Sequence, residues 1–238
     1  MRLKSGKSSN GEPLIVLLLI AVVVSIFLLI NTFGVQLVDD GYYYLEIARN
    51  IAGGSGFTFD GLNPTNGFHP LWQIMLVPIF LITGSLTLAA VAVTMLQSLL
   101  FAATGFMIYR ILIEITKKIS LSIAGAVFWL FNFWFWSKGA LSGMETGLLT
   151  LCFSMSLFLF ARSLSALSST WLLSLSLIVT CMTRLDSLAL AVAVCIIFLL
   201  HKRFRDAARA GLPVMVYLIL YVITNKLVFG GFFPVSGY

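Results

Sequence analysis

The chain has 238 residues, 60% of them hydrophobic and only 10% charged, with a mean hydropathy of +1.03. A soluble domain carries about 25% charged residues, so this composition excludes an ordinary water-soluble fold and points to an all-α, polytopic membrane protein. The net charge of +6 is read as Lys and Arg collecting on the cytoplasmic side of a membrane, with no nucleic-acid partner.

The chain is read as a single transmembrane domain over residues 1–238. Residues 1–12 form a cytoplasmic tail carrying Arg2, Lys4 and Lys7. The apolar run 13–33 is longer than the ~7–15 residues of a signal-peptide core and lacks a small-residue cleavage site, so it reads as a retained first crossing. Further apolar runs at 86–113, 120–136, 143–161, 170–182, 187–200 and 212–229 bring the count to about seven crossings. The sixth crossing is expected to run on past Leu200, with its Lys and Arg side chains snorkelling. The run 70–84 contains Gln73 and Pro78 and is short for a crossing, so it reads as a surface helix. The positive-inside rule decides the matter. Only with 70–84 off the crossing list do Lys117, Lys118, Arg162 and the "HKRFRDAAR" run share the side of the N-terminus.

The first external loop then covers residues 34–85. It opens with "DDGYYYLEIARNIAGG", expected to be a helix over 39–52 that Asp39 or Asp40 caps. Tyr44, Ile47, Ala48, Ile51 and Ala52 fall on one stripe, and Glu46, Arg49 and Asn50 face away. This is read as an amphipathic helix lying on the membrane surface. Glycines at 53, 54 and 56 end it. The "DG", "NP" and "NG" pairs that follow predict a compact, structured loop before the second surface helix at "FHPLW". Cys152, Cys181 and Cys195 sit inside apolar runs and read as small packing residues. No nucleotide-binding glycine loop and no zinc-type cysteine cluster is present in the sequence.

This topology sets Asp39, Asp40, Glu46, Asp60, His69, Lys138, Glu145, Arg184 and Asp186 on the external face, where ionisable groups at a membrane border mark a functional site by default. Blander readings stand beside that one. The aspartates serve as helix caps, His69 as a turn residue before Pro70, Glu145 and Asp186 as caps of later crossings, and Arg184 as a local ion-pair partner. Trp129, Trp134 and Trp136 read as an interfacial aromatic belt.

The same elements resemble the GT-C superfamily of membrane glycosyltransferases, which includes protein O-mannosyltransferases, arabinofuranosyltransferases and lipid A aminoarabinose transferases. The shared pattern is an acidic pair after the first helix ("DDGYYYLEIARN"), a second surface helix at "FHPLW", an acid opening the fourth crossing in "SGMETG", the element "TRLDS" and a proline turn in "FFPVSG". It runs over essentially the whole chain, and family members continue further, so a C-terminal part is expected beyond Tyr238. The resemblance implies a sugar moved from a polyprenyl-phosphate carrier to an acceptor hydroxyl of a glycan, lipid or protein at the external face of the cell membrane, with inversion. Asp39 or Asp40 is then the base, and His69, Lys138 and Arg184 meet the donor phosphate. Tyr42, Tyr43, Glu145 and Asp186 are possible substrate or metal contacts. No cofactor is demanded; a divalent cation (Mg or Mn) held by Asp39 or Asp40 with Glu145 is an alternative way to meet the phosphate. A non-catalytic membrane scaffold and a lipid-linked-sugar flippase are the competing functions. The flippase would need charge at the bilayer midplane, where this sequence has little.

Overall fold

The computed structural model describes residues 37–132, 141–165 and 169–234, together with residues 16, 18, 134 and 136. Apart from residues 16 and 18, the expected first crossing lies outside the described residues, as does Lys138. The described chain is helical, with one isolated antiparallel bridge between Thr58 and Pro64. In order the helices are α1 Asp39–Ala52, α2 Pro70–Thr83, α3 Leu86–Thr116, α4 Ile119–Leu130, α5 Thr146–Leu164, α6 Thr170–Thr183, α7 Leu188–Leu200 and α8 Phe204–Phe229, with a 3-10 turn at Leu185–Ser187.

By length and apolarity, α3, α5 and α8 are long enough to cross a membrane. The remaining apolar helices of the described residues are shorter, so among those residues the length criterion picks out three crossings; the expected count of about seven also includes the run 13–33. Two breaks explain much of the difference. Helix α4 stops at Leu130, well short of 136. Beyond it the Trp136 indole N–H donates to the Leu130 carbonyl, while Trp129 donates to the Phe101 carbonyl and stacks on the Phe101 ring at 4.5 Å. Trp129 and Trp136 therefore pack inward on Phe101, and only Trp134 points outward as a belt residue would. Helix α7 ends at Leu200, and Lys202 takes a left-handed backbone, so the sixth apolar run does not continue past Leu200. The basic run 201–209 instead feeds α8, which starts eight residues earlier than hydropathy indicates.

Helix α1 forms as its pattern predicts, with one correction. Val38 occupies the cap position and no side chain caps the helix; Asp39 and Asp40 lie in the first turn, where the helix dipole still favours carboxylates. The stripe of Tyr44, Leu45, Ile47 and Ala48 is buried against Trp72, Leu76 and Phe80 of α2 and Ala89, Ala90 and Val93 of α3. The apolar face thus packs on protein. Helix α2, 14 residues long, spans about 21 Å and ends at Gly84 in the left-handed region.

The loop between them is ordered by its own polar groups. Asp60 accepts backbone N–H bonds from Leu62 and Asn63 at 2.9 and 2.7 Å, and these donors hold its carboxyl down at about 2. Asn50 of α1 donates to the carbonyls of Thr58 and Phe59. Asn66 reaches across to α8, donating to Asn225 Oδ1 at 2.9 Å and to the Phe233 carbonyl at 3.1 Å. Phe57 and Phe68 stack on each other and meet the edge of Phe229.

A second core joins Leu173, Leu177 and Cys181 of α6, Ala191, Val194 and Phe198 of α7, and Ala207, Ala210 and Val214 of α8. Hydroxyl contacts stitch neighbouring helices, with Ser156 of α5 bonded to Ser176 and Thr180 of α6, as in helices that associate in an apolar medium. The outward side of α8 exposes Leu212, Met215, Val216, Ile219, Leu220 and Ile223. Such an apolar exterior suits a membrane location.

Candidate functional site

One end of the bundle gathers the acidic and turn elements. The Val38 N–H donates to the Ser142 carbonyl at 3.2 Å, tying the start of α1 to the turn that precedes α5. Gly41 is required there: a Cβ on it would lie 2.4 Å from the Ser142 carbonyl oxygen. Gly143 adopts φ +78°, and its carbonyl accepts from the fully buried Trp72 indole at 3.1 Å. These contacts bring the N-termini of α1, α2 and α5 together, so Asp40 and Glu145 lie at the same end of the molecule.

Glu145 is the centre of the cluster. It occupies the cap position of α5, yet its side chain makes no capping bond. Its carboxylate is fully buried, and burial of a charge demands a partner. Arg184 Nη1–H donates to Oε1 at 2.9 Å, and His69 Nε2 lies 3.3 Å from the same oxygen. The other oxygen, Oε2, makes no hydrogen bond of good geometry among the described residues. Arg184 forks between two acids. It also donates through Nε and Nη2 to Asp186 Oδ2 at 3.2 and 3.0 Å. The local backbone arranges this: α6 ends at Thr183, Arg184 is extended, and the 3-10 turn of Leu185–Ser187 swings Asp186 back beside it.

The electrostatics follow from these distances. The hydrogen bond from Arg184 pulls the Asp186 carboxyl below its ordinary value, and the two carboxylates raise Arg184 further above its own. Burial lowers His69 despite the facing Glu145 charge, so the imidazole is neutral near pH 7, with Nε2 3.3 Å from Glu145 Oε1. Tyr44, stacked near His69 with ring centres 6.2 Å apart, has its phenol driven well up by burial and by the Glu145 charge. Tyr44 thus belongs to the site, although its spacing marks it only as a packing residue.

Asp39 and Asp40 do not join this cluster. Both are exposed and line an open recess of about 500 Å³ with Tyr42, Tyr43, Glu46, Phe59 and Leu86. Tyr43 stacks on Phe59 at 4.8 Å and its hydroxyl meets Thr65 Oγ1 at 3.0 Å; Glu46 is engaged by Arg49. Among the described residues no ion pair links either aspartate to His69 or Arg184. The arrangement therefore has two parts: an acidic, aromatic recess and a buried Glu145–Arg184–His69 centre. The donors around Glu145 are a guanidinium and one imidazole, and among the described residues no three His, Cys, Asp or Glu side chains converge as metal ligands. That set does not fit a metal shared by Asp39 or Asp40 with Glu145.

An apolar cavity of about 580 Å³ adjoins the second part. It lies between α2, α6 and α8, and its lining includes Pro70, next to His69, and Met182, two residues before Arg184. Gln73 and Tyr217 also line it, and Gln73 Oε1 and the Tyr217 hydroxyl are buried without hydrogen-bond partners among the described residues.

Compared with protein-family models, curated proteins and solved structures, the chain matches none.

Proposed function

We propose that the chain is the membrane part of a glycosyltransferase that takes a sugar from a polyprenyl-phosphate carrier and passes it to an acceptor hydroxyl at the external face. The observation that carries this reading is the position of the Arg184–His69–Glu145 centre beside an apolar cavity of about 580 Å³. A lipid-linked donor needs a cation for its phosphate and an apolar trough for its chain, side by side. Arg184 has the fork geometry for phosphate oxygens and keeps about a third of its side chain exposed, so it can take a further anionic partner. Neutral His69 offers an N–H donor at the same place.

The chemistry is a single displacement. The acceptor oxygen bonds to the anomeric carbon as the bond from that carbon to the phosphate oxygen breaks, and the phosphate leaves as the anion. Asp39 or Asp40, exposed in the acidic recess at the same end of the molecule, takes the acceptor proton. Arg184 and His69 meet the charge developing on the leaving phosphate. Glu145 fixes the direction of the Arg184 fork, as a buried partner should.

The test is turnover of radiolabelled polyprenyl-phosphate sugar by membranes holding the full-length protein. Asp39→Asn and Asp40→Asn are expected to stop transfer while insertion and yield stay normal. Unchanged turnover in the double variant removes the catalytic assignment.

The engagement of Glu145 Oε1 by Arg184 and His69 favours a second reading, a non-catalytic scaffold in which this centre only clasps α2, α5 and α6. Arg184→Lys separates the two. A clasp tolerates it with little loss of stability and no transfer to lose, whereas the donor-phosphate role loses turnover because a point charge cannot replace the planar fork.

A further inference from the structure

The opposite end of the bundle carries a basic array that the proposed reaction does not use. Arg110 near the end of α3 and Arg162 near the end of α5 approach the same ring, with guanidinium carbons 5.8 and 5.4 Å from the centre of Phe158. Helices α3 and α5 run parallel, so both cations lie toward the same end; Arg162 sits in the last turn of α5, where the dipole favours positive charge. Arg203 joins them from the start of α8. It donates to the Ser163 and Leu164 carbonyls at 3.0 and 3.4 Å, ending α5, and is neutralised by Asp206 at 2.8 Å. The terminal carbonyls of α5 are thus taken by Arg203. Arg162 is half-buried and makes no hydrogen bond or ion pair among the described residues. A guanidinium has five N–H donors, and leaving it half-buried beside a second guanidinium without an acceptor is costly.

We propose that Arg110 and Arg162, with Phe158 between them, form a binding site for the phosphate of an anionic phospholipid in the cytoplasmic leaflet. The chemistry selects the ligand. Phosphate oxygens satisfy several donors of the Arg162 fork at once, and the Arg110 charge adds to their attraction. The surface toward the middle of the bundle exposes Phe153 and Leu157 on α5, which acyl chains cover and a free anion does not. The local balance has the right sign. Among the described residues, Lys117, Lys118, Lys202, Arg205 and Arg209 share this end with the three arginines, against Glu114 and Asp206, and Asp206 is already engaged by Arg203 and Thr170. Basic pockets between helices on the cytoplasmic side are where anionic headgroups dock. This inference rests on the membrane location and sidedness of the proposed function and is independent of the sugar chemistry.

The chain, purified in neutral detergent, is tested by native mass spectrometry against phosphatidylglycerol and phosphatidylcholine of equal acyl length. Wild type is expected to prefer phosphatidylglycerol by about tenfold or more, and Arg110→Gln with Arg162→Gln to abolish that preference. Arg49→Gln, at the other end, leaves it intact. Equal retention of the two lipids by wild type, or undiminished preference in the double variant, overturns the proposal, as does equal displacement by inorganic phosphate at the concentration of the lipid. Should the double variant not survive purification, Arg162→Gln alone decides by the same criterion, since the Phe158 ring is the one contact it gives up among the described residues. A chain without sugar transfer that retains phosphatidylglycerol leaves this site standing, so the two proposals fail separately.

Discussion

Removing the cation from beside Glu145 is the perturbation that most directly probes how the site is held. Arg184→Gln leaves a fully buried carboxylate with His69 as its remaining partner. Stripping one partner from a buried ion pair costs about 3–5 kcal/mol. About a third of the Arg184 side chain is exposed, so solvent already screens part of the attraction, and His69 Nε2 stays 3.3 Å from the carboxylate. The expected loss is therefore about 2–3 kcal/mol, which for a chain of this size lowers the thermal midpoint by about 4–12 °C. Glu145→Gln is milder, at about 1 kcal/mol, because the amide oxygen still accepts from Arg184 and Arg184 keeps Asp186. In the Glu145→Gln background there is no buried charge left to strand, so adding Arg184→Gln should cost less than about 1 kcal/mol. The two changes are thus strongly non-additive. Thermal unfolding of the four proteins in the same detergent and lipid measures the cycle. Equal costs for Arg184→Gln in both backgrounds would refute the argument that a buried charge organises this end of the molecule.

Three further outcomes follow from single contacts. Gly147→Ala puts a Cβ 2.0 Å from Gln97 Oε1 and should cost about 1–3 kcal/mol in thermal unfolding, most of it recovered by adding Gln97→Ala. Trp72→Phe strands the Gly143 carbonyl at a cost of about 1–3 kcal/mol and, by loosening the turn that carries Glu145, should raise the exchange of amide hydrogens over residues 141–145. His69 has its pKa lowered by burial, so the unfolded chain binds the extra proton first. Its contribution to stability is full above about pH 6.5 and is lost as pH falls toward the folded value; the midpoint should drop through that window in wild type and stay flatter in His69→Gln.

What the sequence reveals of this molecule is what depends on neighbours along the chain. The α1 stripe, the Asp60 turn, the glycine ends of α1 and α2, the start of α5 at Glu145 and the Arg184–Asp186 pair are all set within a few residues, and each is readable from spacing and turn chemistry. Hydropathy misplaced helix ends where side chains rather than apolarity end a helix. Nothing in the apolar count of 120–136 marks the break at Leu130, because Trp129 and Trp136 are as apolar in a helix as folded onto Phe101. The burial of Glu145 was likewise invisible, since it arises where α2, α5 and α6 meet, through residues 69, 145 and 184. The adjacency of Asp39 and Asp40, by contrast, is plain in the sequence and suggests a centre, yet geometry gives them an exposed recess and assigns the buried charge to Glu145. Tyr44 shows the converse. Its place in the stripe accounts for the burial of its ring but not for the side of the ring that meets His69 and the Glu145 field. Charge segregation bridges the two scales. The rule that assigned the basic clusters to one side used only chain order; in the fold Arg162 and Arg203 of those clusters, joined by Arg110, lie around Phe158 and Phe198, while Glu145, Asp186 and the aspartates of α1 lie at the far end. Long-range order in this fold is thus legible wherever it is imposed by which end of the bundle a residue occupies, and illegible wherever it depends on which helices touch there.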